Sequence, residues 1–143
     1  MKKILLILIF ILNLFGKNFL QTDNSVVDLD RNLMWQDNID TKEYLASYTL
    51  AKEYCSTLSL NGFTDWKLPS IKELQTIVDI KRKEVAIFDE FRFFEPSSYW
   101  SNTQDMAFKH NAWYVGFKTG ATFKDSKDYD CYVRCVRNRF KDK

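Results

Sequence analysis

The 143-residue chain carries 21 Lys and Arg against 19 Asp and Glu, a formal net charge of +2. Lys2, Lys3 and Lys17 precede every acidic residue, so the sequence beyond position 20 holds 18 basic and 19 acidic side chains. That balance gives no basic surplus for nucleic acid, the length leaves room for one domain at most, and one histidine excludes a multi-histidine metal centre.

Residues 1–20 read as a signal peptide. Lys2 and Lys3 form a positive start, followed by a nearly unbroken apolar run from Ile4 to Phe15. About a dozen residues fall short of the roughly 18–20 that span a bilayer. Gly16 is the only small residue near a cleavage point, and an uncleaved N-terminal anchor is the alternative. The expectation is an exported chain, periplasmic or at the cell surface, with a domain over 25–139 and no transmembrane segment after cleavage.

Val26 to Gln36 reads as two short strands around the polar turn Asp30-Arg31-Asn32, and Asp37 to Tyr44 as a polar loop. Thr49 to Leu60 is the first predicted helix, with Ala51, Cys55 and Leu58 on one face and Gly62 past its end. Pro69-Ser70 followed by Glu73 is a capping-box signature, and Ile71, Leu74, Ile77 and Val78 then continue one helical face to about Ile80. Lys81 to Pro96 is too rich in Phe and Ile for a free loop and predicts a long, ordered connection. Strands follow around Tyr99-Trp100-Ser101, over Trp113–Lys118 and Ala121–Lys124 as a hairpin across Thr119-Gly120, and over Tyr132–Arg137. The pattern is α+β: two helices packed on small antiparallel sheets, not alternating βαβ.

Three cysteines in an exported domain of this size predict one disulfide. If residues 131 to 135 are extended, Cys131 and Cys135 lie about 13 Å apart, beyond the roughly 7 Å that a disulfide tolerates. Cys55 then pairs with one of them. Cys135, in the middle of the predicted strand, is preferred over Cys131 at its start. The remaining Cys131 is free or available to link a second chain into a dimer.

The chain order Leu33-Met34-Trp35-Gln36-Asp37, the Cys55 helix, Gly62-Phe63-Thr64-Asp65-Trp66-Lys67-Leu68-Pro69-Ser70, Tyr99-Trp100-Ser101, Ala112-Trp113-Tyr114-Val115 and Tyr132-Val133-Arg134-Cys135-Val136-Arg137 resembles the Lcl C-terminal domain family. The resemblance covers about Val26 to Asn138. It implies a C-type-lectin-like fold in which a cysteine on the first helix pairs with one on the last strand, here Cys55 with Cys135. It also implies a secreted, surface or periplasmic bacterial protein. The family's namesake domain ends a collagen-like adhesin and is associated with sulfated glycosaminoglycans; this chain has no Gly-x-y repeat.

No enzyme, cofactor or metal site is expected. Lectin-type calcium binding needs six to eight oxygens, and Glu95-Pro96-Ser97 offers Ser where an amide belongs, while Trp100-Ser101-Asn102 lacks a following Asp. An enzyme related to sulfatase-activating proteins would need a working cysteine pair, which the expected disulfide removes. His110 sits in the polar run Lys109-His110-Asn111 and reads as a surface residue. The remaining chemistry is an anion-binding face. Lys118, Lys124, Lys127, Arg134, Arg139 and Lys141 lie on or beside the last strands, with Arg134 alternating with Cys135 and therefore pointing away from the core. Trp113 or Tyr114 could stack on a sugar.

The scaffold set is Trp35, Asp65, Trp66, Leu68, Pro69, Ser70, Glu73, Leu74, Trp100, Trp113 and Arg137. Arg137 shares strand parity with Cys135, faces inward, and is expected to pair with Asp65 or Glu73. The functional expectation is a non-enzymatic envelope or surface module that binds an anionic glycan or an envelope protein. The alternatives are a purely structural accessory protein and, last, an enzyme.

Overall fold

The computed structural model describes residues 17–140. Most of the expected leader (1–16) and Lys141 lie outside the described residues.

The chain opens with β1 (Phe19–Thr22), β2 (Ser25–Asp28) and β3 (Leu33–Gln36), then α1 (Asp40–Glu43), β4 (Leu45–Ala46) and α2 (Tyr48–Thr57). It continues through α3 (Ile71–Gln75), β5 (Ser98–Gln104), β6 (Asn111–Gly116), β7 (Ala121–Ser126), β8 (Cys131–Tyr132) and β9 (Val136–Asn138). The architecture is α+β. One sheet has the order β1-β2-β3-β9 and the other β4-β8-β5-β6-β7; every pairing is antiparallel except β5 with β8. The turns of the first three strands are closed by Asn24 (φ 61°) and Asn32 (φ 53°), residues that tolerate the left-handed region. Phe19 and Leu20, the last residues assigned to the leader, form the start of β1, and Phe19 packs against Phe88 and Phe91.

The buried apolar side chains form two clusters, the first drawing on both sheets. Trp35, Leu74, Ile77, Ile87, Phe91, Tyr99, Val115, Phe117 and Val136 fill the first. Tyr48, Ala51, Cys55, Trp66, Leu68, Trp100, Cys131, Val133 and Cys135 fill the second. Main-chain bonds tie the two units: Lys67 and Val136 exchange both amide–carbonyl bonds at 2.9 Å.

The Ser70 capping box is present, with the Ser70 hydroxyl accepting from the Glu73 amide at 3.1 Å and the Glu73 carboxylate accepting from the Ser70 amide at 2.9 Å. Such a cap stabilises a helix by about 1 kcal/mol. The helix it starts is shorter than expected, ending at Gln75 instead of near Ile80. Val78 leaves the helix to bridge Ile87, so the β-branched run Ile77-Val78 serves the long connection. That connection is ordered, as expected: Ala86 donates to the Phe117 carbonyl at 2.7 Å, and Ile87 and Phe91 are buried. It lies tightly on the β6–β7 turn, where a Cβ on Gly120 would stand 2.5 Å from Val78 Cγ1. A second difference is α1, one helical turn in what reads as polar loop. Its Thr41 is fully buried, its hydroxyl bonded to the Asn38 and Phe93 carbonyls at 2.6 and 2.8 Å.

The predicted last strand is two strands in two sheets. β8 belongs to the second sheet and β9 to the first, and Val133-Arg134-Cys135 crosses between them, buried throughout. No single strand therefore runs from Cys131 to Cys135. The disulfide is Cys55–Cys135, as expected, with Cα atoms 5.5 Å apart.

Candidate functional site

The crossing segment decides where the basic side chains go. Strand parity from Cys135 does not apply to Arg134, because no strand runs through it. Arg134 is fully buried instead of facing solvent, so it cannot meet a ligand as expected. Its guanidinium lies over the rings of Phe91 and Tyr99 at 4.9 and 5.8 Å. It donates to the carbonyls of Gln36 and Phe93 and to Asp37 Oδ1 at 3.1 Å. Asp37, also fully buried, accepts in addition from the Arg92 side chain at 3.1 Å and from the amides of Arg92 and Phe93. This buried hub fixes the start of the 91–96 connection to β3 and to the crossing segment. Parity does hold within β9: Arg137 points inward and pairs with Asp65 at 2.7 and 3.2 Å, its guanidinium 3.6 Å from the Phe63 ring centre. Glu73 is left to the cap and to Lys67 at 3.5 Å.

Both arginines nearest the C-terminal strands are thus internal, and the exposed cations are mostly lysines. Lys118 stands at the β6–β7 turn and Arg139 beyond β9, over Phe140. Neither joins the others. Lys124 and Lys127 do come together. Lys124 on β7 lies 5.3 Å from the Trp113 ring centre and 3.3 Å from Asp105. Lys127 bonds the adjacent Gln104 at 2.7 Å and stands 4.9 Å from the Tyr48 ring centre. Lys52 on α2 approaches the same Tyr48 ring at 5.5 Å. Beyond Lys52 a small hollow of about 160 Å³ is lined by Lys52, Ser56, Trp66, Lys67, Leu68 and Asn102. The result is a strip of four lysines backed by two aromatic rings and edged by amides. Sequence order hid it: Tyr48, Lys52 and Lys67 lie far before Lys124 and Lys127 in the chain, and the Tyr48 amide bond to the Lys127 carbonyl at 3.0 Å, with the packing of α2 on β5, brings α2 to the β7 end.

The strip's foundations are rigid. Tyr48 is buried, and its hydroxyl donates to the Asn102 carbonyl at 2.8 Å; burial pushes its phenol pKa up. Asp105 is held below the usual carboxylate range, first by the Ala107 amide and then by Lys124. Of the four tryptophans, Trp35, Trp66 and Trp100 are core, and Trp113 is half-exposed under Lys124. Leu68 and Leu74 are core and Pro69 is buried beside them.

The Glu95-Pro96-Ser97 segment bonds within the chain, with the Ser97 amide on the Glu95 carbonyl and the Glu95 amide on the Tyr99 hydroxyl. Among the described residues, no three His, Cys, Asp or Glu are arranged to hold a metal ion, and no helix is long and apolar enough to cross a membrane.

Cys131 is free and buried, so linking a second chain through it requires β8 to leave its sheet. Burial, with Asp125 and Asp130 nearby, pushes its thiol from 9.0 up to about 12. A thiol that ionises later in the folded state stabilises the fold fully below pH 9 and loses that contribution as pH rises towards 12. Tyr48, Tyr54, Tyr99 and Tyr114, all raised by burial, act in the same sense as pH nears 10 and rises beyond it. Between pH 9 and 10 the thiol and the tyrosines both contribute, so the Cys131 share is read as the difference between wild type and Cys131→Ala. Wild type is expected to lose roughly 1 kcal/mol more than the variant across that unit in urea unfolding. A slope unchanged in the variant would show that the thiol does not titrate this way.

Comparison with curated proteins finds no match. A family model does match, over residues 24–137, which span the buried Asp37 hub, the capping box, the disulfide and the whole lysine strip. The chain belongs to the Lcl C-terminal domain family.

Proposed function

We propose that the chain is an exported, non-enzymatic binding module of the bacterial envelope or surface, and that its ligand is a polyanionic glycan. The observation that carries this reading is the pair of ammonium groups, Lys52 and Lys127, over one buried tyrosine ring, continued by Lys124 over Trp113. Trp113, half-exposed, offers an aromatic face to a sugar, Tyr48 anchors its two lysines from below, and the lysines supply charge at spaced points. Lysine is a strongly hydrated point charge without the planar fork of arginine. Recognition of this kind is long-range, tolerant of sulfate position and strongly weakened by salt. The C-type-lectin-like fold that the resemblance implies is compatible with such a role, and the engagement of Cys135 in a disulfide removes one member of any working cysteine pair.

Heparin-column retention tests it. Wild type is expected to bind at low salt and elute as salt rises. Lys52→Gln, Lys124→Gln and Lys127→Gln combined are expected to weaken binding about tenfold or more, while Lys118→Gln with Arg139→Gln leaves it nearly unchanged. Equal loss from both sets would reduce the effect to net charge. No retention of wild type would sink the glycan reading.

A protein partner is the second reading. Met106 and Phe108, 93% and 66% exposed, stand in the β5–β6 loop next to the Gln104–Asp105 end of the strip. Met106→Ser with Phe108→Ser would release such a partner and leave heparin binding intact.

A further inference from the structure

On the opposite face of the β6–β7 hairpin the chemistry reverses. Strand alternation puts Trp113 and Lys124 on one side, and the paired Tyr114 and Phe123, with Asp125, on the other. There a concave pocket of about 250 Å³ is lined by Ser98, Tyr114, Asp125, Tyr129, Asp130 and Cys131. Tyr114 forms its floor, held between Trp100, edge-on at 5.9 Å, and Phe123, stacked at 5.6 Å. Tyr129 is 60% exposed and stands at the rim.

Two carboxylates face this pocket without a counter-charge. Among the described residues, neither Asp125 nor Asp130 makes an ion pair. Asp125 accepts from the Ser126 amide at 2.8 Å. The lysines that flank them in sequence turn away, Lys124 to Asp105 and Lys127 to Gln104. At the base of the pocket, the Cys131 thiol is free and buried, with no disulfide. The negative field reaches the floor: Asp125 acts on both Tyr114 and Cys131, and Asp130 on Cys131. Asp125 is half-buried and Asp130 exposed at the rim, and together they make the pocket unfavourable for an anion and favourable for a cation.

We infer that the pocket formed by Tyr114, Tyr129, Asp125, Asp130 and the Cys131 floor is a binding site for an alkylammonium group. A cation set against aromatic faces is attracted by their quadrupoles, and the two aspartates supply the charge that a lysine-type or quaternary amine lacks a partner for. The apolar thiol and ring floor suit the methylenes or methyl groups that carry the nitrogen. The site is independent of the lysine strip, lies on the other face of the hairpin, and binds charge of the opposite sign.

The test is NMR titration of ¹⁵N-labelled protein with three probes: choline, acetyl-Gly-Lys-Gly-amide, and the same peptide with norleucine for lysine. Choline or the lysine peptide is expected to give saturable shifts at residues 114 and 125–131, with the norleucine peptide silent. Choline alone points to a free amine, and the lysine peptide alone to a basic protein segment. Asp125→Asn with Asp130→Asn is expected to weaken binding about tenfold or more, and Tyr129→Ala severalfold. Tyr129 is exposed, so its variant keeps the fold and remains informative if the double aspartate variant does not. Absence of saturation with both cations, equal binding of the norleucine peptide, or full binding by Tyr129→Ala and the double variant would each overturn the assignment. Loss of heparin binding leaves these readouts untouched, so the two sites fail or stand separately.

Discussion

Asp37→Ala is expected to destabilise the domain by about 3–5 kcal/mol, the cost of leaving a buried charge without its partner. Arg134 has no route to water, and its other acceptors are neutral carbonyls of Gln36 and Phe93. The same change orphans the amides of Arg92 and Phe93. Arg92→Gln serves as control. Its side chain is 40% exposed in the pair with Asp37, so its loss should cost under about 1 kcal/mol. Combining Asp37→Leu with Arg134→Met should recover much of the loss, because neither charge is then buried alone. Urea unfolding of the three variants beside wild type gives the result. An Asp37→Ala cost below 1 kcal/mol would mean that Arg134 finds water or a new acceptor.

Removing the disulfide has an effect of similar size by another route. Cys55 and Cys135 are 80 residues apart in sequence, and a link closing a loop of that length is worth about 4 kcal/mol in the chain-entropy model. Cys55→Ala with Cys135→Ala should lower the melting temperature by roughly 10–20 °C without changing the contacts at the Lys52 strip. Calorimetry with and without reductant checks it. Wild type in reductant should approach the double variant, and a variant insensitive to reductant confirms that Cys131 forms no substitute bond. A shift of only a degree or two would show that packing in the second core already holds α2 to the crossing segment.

Local signals in the sequence proved the most legible. The capping box needs only Ser70 and Glu73 in one turn, and its hydrogen bonds form as expected. The Asn32 turn and the β6–β7 hairpin are likewise set by neighbours in sequence, whereas the 81–96 connection betrays itself by its apolar content and is held by the distant Phe117 and Asp37. The strand position of Cys135 and the family resemblance both pointed to the Cys55–Cys135 bond. Arg134 was misread because residues 131–137 are not one strand. Period-two alternation describes a strand, and residues 133–135 are a crossing between sheets, covered on both sides. Arg137 was read correctly because β9 resumes at Val136. The lysine strip was only half visible. Lys124 and Lys127 are near neighbours in sequence, but Lys52 and Tyr48 join them only through tertiary contacts, the packing of α2 against β5 and the Tyr48 amide bond to the Lys127 carbonyl. The α3 boundary failed because Ile77 and Val78 satisfy a helical face and an extended bridge equally well, and Ile87 across the connection decides between them.

The short run Val133–Arg137 has a kinetic consequence. It supplies one half of the disulfide, the partner of Asp37, the partner of Asp65 and the strand that closes the first sheet against β3. Each of these links joins residues 70 or more positions apart, as in Asp65 with Arg137 and Asp37 with Arg134. Contacts so distant in sequence form late, after the entropy of closing long loops has been met. A growing chain that has reached residue 130 therefore lacks every one of them and has no reason to fold. The sheet closure, the disulfide and the two ion pairs all wait for residues 134–138. A frameshift or protease cut between residues 130 and 134 would accordingly remove every one of these links at once.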